Sequence, residues 1–183
     1  MHAEPSDEQS EHDDTRLSLP LADEAATLAL GAALAPALVP GLVIALEGDL
    51  GAGKTTLVRG LLRALGHEGR VKSPTYTFVE LYAISRLNLY HFDFYRFNQP
   101  EEYLDAGLDE YFQGDGVCLV EWPERAGGYL PPADLRLRLA IVAQGRVAEI
   151  VAASSRGRAC LQCLRNWRTG SPGASCSSSG QPR

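Results

Sequence analysis

The stretch LVIALEGDLGAGKTTLVRGLL, residues 42–62, constrains the fold more than any other part of the chain. Leu42 to Leu46 is an unbroken apolar run that reads as a short buried strand. From Lys54 to Leu65 the apolar residues Leu57, Val58, Leu61, Leu62 and Leu65 return on one helical face. Between strand and helix, Gly48-Asp49-Leu50-Gly51-Ala52-Gly53-Lys54-Thr55 carries the spacing G-x-x-x-x-G-K-[ST]. Glycines let such a loop take positive φ and lie close to a ligand. Its N–H groups then turn inward and the new helix adds the positive end of its dipole, so the ligand that fits is a polyphosphate. In this pattern Lys54 reaches the β- and γ-phosphates as a point charge, and the Thr55 hydroxyl takes one position on Mg²⁺.

The rest of the chain sets the class. At 183 residues with 45% hydrophobic and 22% charged residues, it is long enough for one well-packed domain. Charge is unevenly spread within the net −6: residues 1–14 hold six acids and no base, and residues 156–183 hold five arginines and no acid. The acidic head (1–15) and the Arg-, Ser- and Cys-containing stretch 154–183 are expected to be disordered tails around a domain at 16–153. Deleting residues 156–183 is then expected to leave activity intact. The N-terminus is acidic and lacks the apolar core of a signal peptide, so a cytoplasmic location is expected. Ala25 to Leu46 is uncharged over 22 residues, but Gly31, Pro36, Pro40 and Gly41 break it, and a helix, turn and strand explain it better than a membrane span. Cys118 sits in an apolar run and reads as core, whereas Cys160, Cys163 and Cys176 read as loose thiols in the tail.

Along the chain, Arg16 to Leu19 reads as a first strand and residues 22–38 as a helix. Thr77 to Ile84 and Leu87 to Tyr95 are β-rich runs joined at Ser85-Arg86, and PEEYLDAGLDEYF (100–112) reads as one helix or two short ones. GVCLVEW (116–122) is a second buried strand, and LRLRLAIV pairs with RVAEIVAA across Gln144-Gly145. The expected fold is α/β, a P-loop NTPase three-layer sandwich with a mixed, partly antiparallel sheet and the nucleotide at the strands' carboxyl ends.

Hydrolysis needs more than a phosphate loop: it needs a metal carboxylate and a group that orients water. Val117-Cys118-Leu119-Val120-Glu121 delivers an acid at the end of a buried strand, which fits a metal ligand, direct or through water, or a base. Asp93, in LNLYHFDFYR, lies on a strand with two largely apolar faces, where an unpaired carboxylate is costly; Mg²⁺, Arg96 or backbone N–H groups are its candidate partners. His91 on the same strand reads as a packed, hydrogen-bonded ring. The loop Lys72-Ser73-Pro74-Thr75-Tyr76 offers hydroxyls at Ser73 and Thr75 where nucleotide switches sense the γ-phosphate. A small-molecule or nucleoside kinase would share the phosphate loop, but the acidic stretch 97–115 has no Arg or Lys to form a kinase lid.

Four motifs, EGDLGAGKTT, VKSPTYTFVELY, LYHFDFYR and VEWPER, occur in that order. Together they resemble the TsaE family (formerly YjeE), over about residues 17–153. The resemblance implies an ATPase, weak alone, that joins TsaD and TsaB. That complex transfers a threonylcarbamoyl group to the adenosine beside the tRNA anticodon. ATP and Mg²⁺ are the implied cofactors; tRNA is met only through the complex, and no membrane is involved. Carried onto this chain, the nucleotide is held by Asp49, Leu50, Gly51, Ala52, Gly53, Lys54, Thr55, Thr56 and Trp122. Thr55 and Glu121 hold the metal, Glu121, Asp93 and Thr75 form the catalytic set, and adenine sits near Pro20 to Ala22. The acidic head and the Arg-containing tail lie outside the family pattern.

Overall fold

The computed structural model describes residues 13–84 and 87–170. The expected turn at Ser85-Arg86, most of the acidic head and Cys176 fall outside that range. Seven strands form one sheet: β1 (Arg16–Leu21), β2 (Val43–Glu47), β3 (Val79–Ile84), β4 (Leu87–Asp93), β5 (Val117–Glu121), β6 (Leu135–Ile141) and β7 (Arg146–Ala152). Their order is β1-β7-β6-β2-β5-β4-β3. The central four, β6, β2, β5 and β4, are parallel, and antiparallel strands close each flank: β7 then β1 on one side, β3 on the other. Pro20 lies in β1, an edge strand, where a missing N–H donor is tolerated. The sheet is mixed as the sequence predicts.

Helices α1 (Glu24–Leu34), α2 (Lys54–Ala64) and α4 (Ser155–Thr169) cover one face. Asp23 caps α1 by accepting from the Ala26 N–H at 2.8 Å. α1 and α2 touch backbone to backbone: a Cβ on Gly31 would lie 2.0 Å from the Leu57 carbonyl oxygen, and one on Gly60 2.1 Å from that of Leu28. This contact seats the helix that carries the phosphate loop. Over β4 and β5 the opposite face bears a thin aromatic layer, in which Phe92, Phe94, Phe97 and Tyr103 are buried. The short helix α3 (Glu102–Asp105) and the 3₁₀ turn Leu108–Phe112 belong to that layer, so residues 100–112 form two short helices. Phe97, Tyr103 and Leu108 anchor this stretch on the sheet.

The C-terminal expectation is corrected. Residues 155–169 form a helix, not a disordered tail, and bury Cys160, Leu161 and Leu164 against the core. Ser154 starts it: its hydroxyl accepts from the Gly157 N–H at 3.1 Å and donates to Asp134 at 2.5 Å. Arg165 reaches back to Asp14 at 3.2 Å and to the Asp13 and Arg16 carbonyls, so residues 13–15 are also held. Cys160 is a buried thiol of the core, as is Cys118. Among the described residues no helix is long and apolar enough to cross a membrane.

Candidate active site

The phosphate loop leaves β2 at Glu47 and enters α2 at Lys54. Gly48 and Gly53 take φ of 133° and 110°, and a Cβ on Gly48 would lie 2.3 Å from the Leu139 carbonyl oxygen, so only glycine fits there. Arg146, at the start of β7, holds the loop from outside. Its Nε donates to the Ala52 carbonyl at 2.6 Å and its Nη2 to that of Gly51 at 3.2 Å. Lys54 is only 5% exposed. Its Nζ donates to the carbonyls of Gly48 at 2.5 Å and Asp49 at 3.0 Å and lies 4.1 Å from the centre of the Trp122 ring. Burial pulls the Lys54 pKa down, while Glu121, Asp93, Glu124 and Asp49 pull it back up. Trp122 itself sits in the left-handed region at φ 58°, and its ring meets that of Tyr95 at 5.1 Å.

Two acids lie side by side at strand ends, since the parallel register of β4 and β5 pairs Asp93 with Glu121. Each is 3% exposed. Oε1 of Glu121 accepts from the Thr55 hydroxyl at 2.8 Å and from His91 Nε2 at 2.8 Å. Oδ1 of Asp93 accepts from the Tyr95 N–H at 2.9 Å, and Oδ2 accepts from Ser73 and, at 3.1 Å, from Thr75. Of the partners open to Asp93, the backbone N–H is realised and Arg96 is not. Arg96 instead donates to the Tyr76 hydroxyl at 3.0 Å and lies over its ring.

These groups converge on one cavity of about 250 Å³. It is lined by Leu50, Gly51, Gly53, Lys54, Thr55, Thr56, Ser73, Thr75, Asp93, Tyr95, Glu121 and Trp122. A larger cleft of about 760 Å³ runs beside Arg136 and Arg138 and takes in Asp49, but neither Lys54 nor the two strand-end acids line it. Chemistry, not volume, marks the smaller cavity as the candidate site. Ala52, within the loop, is fully buried. The start of the first helix is adjacent: Thr27 lies 3.4 Å from where a Gly53 Cβ would be, and the Leu21 and Ala22 carbonyls crowd Gly145. Three parts of this arrangement went unread in the sequence: the Arg146 clamp, Ser73 on Asp93, and the contact of His91 with Glu121. Arg146 and His91 carry no local signal, because each contact depends on strand register.

The residues fit a polyphosphate with a divalent metal. The loop is open around Gly51, where an added Cβ would meet nothing within 4 Å, and Lys54 is a buried cation with no carboxylate in hydrogen-bond contact among the described residues. The Thr55 hydroxyl has one hydrogen, given to Glu121, which leaves its lone pairs for a metal. Among the described residues no group of three or more His, Cys, Asp or Glu could hold a metal alone. Thr55 and Glu121 together offer the one or two protein oxygens that a divalent metal bound through phosphate oxygens and water requires.

A family model, "Threonylcarbamoyl adenosine biosynthesis protein TsaE", matches residues 21–148. The chain belongs to the TsaE family. It is 45% identical over 125 residues to the tRNA threonylcarbamoyladenosine biosynthesis protein TsaE of Haemophilus influenzae, covering 68% of this chain and 79% of that one. It is 44% identical over 135 residues to the TsaE of a Nostoc species, covering 71% and 82%. The crystal structure of YdiB from Bacillus subtilis superposes with a TM-score of 0.69 at 34% identity, covering 84% of this chain and 96% of that one. TsaE-family proteins are nucleotide-binding ATPases of this biosynthesis, and all but α4, most of the first strand, β1, and the second half of the last strand, β7, lies inside the matched region.

Proposed function

We propose that this chain is the ATP-hydrolysing subunit of a cytoplasmic tRNA-modifying complex. With TsaD and TsaB it would support threonylcarbamoylation of the adenosine beside the anticodon. The observation that carries the nucleotide chemistry is the Thr55–Glu121 pair beside Lys54, at the mouth of a phosphate loop. Lys54 binds the β- and γ-phosphates. Thr55 and Glu121 hold Mg²⁺, which when bound neutralises charge developing on the phosphates. Asp93 holds Thr75 and Ser73 over the open side of the cavity, where a loop can respond to the γ-phosphate. Trp122 walls the site at Lys54. Hydrolysis supports repeated turnover of the complex and does not itself transfer the group.

The test is MgATP hydrolysis by the purified protein, alone and with a TsaB–TsaD pair. A slow basal rate that the pair raises, with the increase lost in Glu121→Ala, supports the reading. A rate indifferent to the pair sinks the partnership and leaves the phosphate site; phosphoryl transfer to a nucleoside or other small acceptor would replace it with a kinase.

A further inference from the structure

His91 is fully buried on β4, two residues before Asp93 and opposite Leu119. From there its ring reaches diagonally to Glu121, with Nε2 at 2.8 Å from Oε1. A carboxylate offers only acceptors, so the network assigns the hydrogen to Nε2. The other nitrogen, Nδ1, is buried with no hydrogen-bond partner among the described residues. A buried polar atom left unpaired costs stability, so an apolar side chain would be the better occupant if His91 only filled space. The compensation lies at Nε2. Oε1 of Glu121 takes two donors, Thr55 and His91, while no described residue donates to Oε2.

We propose that His91 is a positioning residue: its Nε2–H anchors one oxygen of Glu121, so that the other oxygen and the Thr55 lone pairs are left for the metal of the bound nucleotide. Outer partners that orient metal ligands in this way are worth 10–100-fold in metal affinity. The inference rests on the reading of Glu121 as a metal carboxylate.

The experiment measures ATP affinity by calorimetry in EDTA and across a Mg²⁺ titration, for the wild type, His91→Leu and His91→Gln. In His91→Leu the metal-free affinity should stay within about twofold, while the Mg²⁺ needed for half-maximal enhancement should rise about tenfold or more. His91→Gln keeps an N–H at comparable reach and should recover much of the loss. If His91→Leu does not fold, His91→Asn, whose amide is too short to reach Glu121, replaces it; failure of both to fold would place His91 in the core alone and overturn the inference. So would a wild-type Mg²⁺ requirement in His91→Leu, or equal losses in the Leu and Gln variants. A wild type with no Mg²⁺ enhancement would overturn the metal role of Glu121 itself, which separates that failure from one of His91 alone.

Discussion

Lys54 is a buried ammonium whose hydrogen-bond partners are two backbone carbonyls, with an aromatic face alongside. Burial disfavours its charged form, and its pKa is lowered accordingly. A phosphate would give this ammonium an anionic acceptor in place of neutral carbonyls, which strengthens the contact. Replacing Lys54 by Met is therefore expected to weaken ATP at least about a hundredfold, as loss of a buried charged contact does. The thermal midpoint of the nucleotide-free protein should shift little. Calorimetric binding and melting on the same samples check this. Near-normal ATP affinity in Lys54→Met would refute the phosphate role. Thr75→Val is the companion case: it removes one of the donors to Asp93 while Ser73 and the Tyr95 N–H remain. Turnover should fall much further than stability, and an equal fall in both would make Thr75 a structural group.

At the scale of elements, α2 brings the phosphate loop to the acids, and Gly31 and Gly60 let it lie against α1. Gly60→Ala puts a methyl where the Leu28 carbonyl now is, and backbone cannot yield as a side-chain tip can. The helices must part, which costs about 1–3 kcal/mol by the usual measure of overpacking; urea unfolding should show it, together with weaker nucleotide binding. α4 gives the second element-scale prediction. Truncation after Ser154 exposes the surface that Cys160, Leu161 and Leu164 cover, so it should lower the melting temperature by several degrees or prevent folding. An unchanged midpoint would show that α4 is dispensable. This reverses what the sequence suggested, and the reason is physical. The strand–loop–helix of residues 42–65 is legible because every local signal agrees: apolar run, glycines, then a wide apolar face. The hairpin β6–β7 is legible from strict alternation and Gly145. In α4 the buried residues Gly157, Cys160, Leu161 and Leu164 are set among Ser, Arg, Gln and Asn, so composition hides a narrow stripe. Its Ser154 cap and the glycine at 170 were the readable signs. Glu121 could be read as a strand-end acid and Asp93 as an acid on a buried strand, which ends at Asp93 and not at Tyr95; which donors meet them is set by the pairing of β4 with β5, which no local pattern encodes.

For the molecule as a whole, pH should report how dry the core is. Burial pushes the Cys118 thiol up to about 12 and the Cys160 thiol up to about 11, from 9.0. Below pH 9 both states keep both protons and neither thiol affects stability. Between pH 9 and the folded values, the unfolded chain releases protons that the native state retains. The native state then binds more protons, so stability falls as pH rises. Lys54 acts in the opposite sense: its lowered folded pKa makes the native state the first to lose that proton as pH approaches 10.5. The thiol contribution is isolated by difference. Comparing the wild type with Cys118→Ala at pH 8 and pH 10 cancels Lys54 and every other group the two proteins share. Removing Cys118 costs packing at both pH values, but the wild type should lose roughly 1 kcal/mol more than the variant on going from pH 8 to pH 10, the value of one proton released over one unit of pH. The same loss in both proteins would mean that Cys118 ionises as readily in the native state as in the unfolded chain. Water would then reach the aromatic layer over β5, where Cys118 packs beside Val120 and Phe92, and that side of the sheet would not be dry.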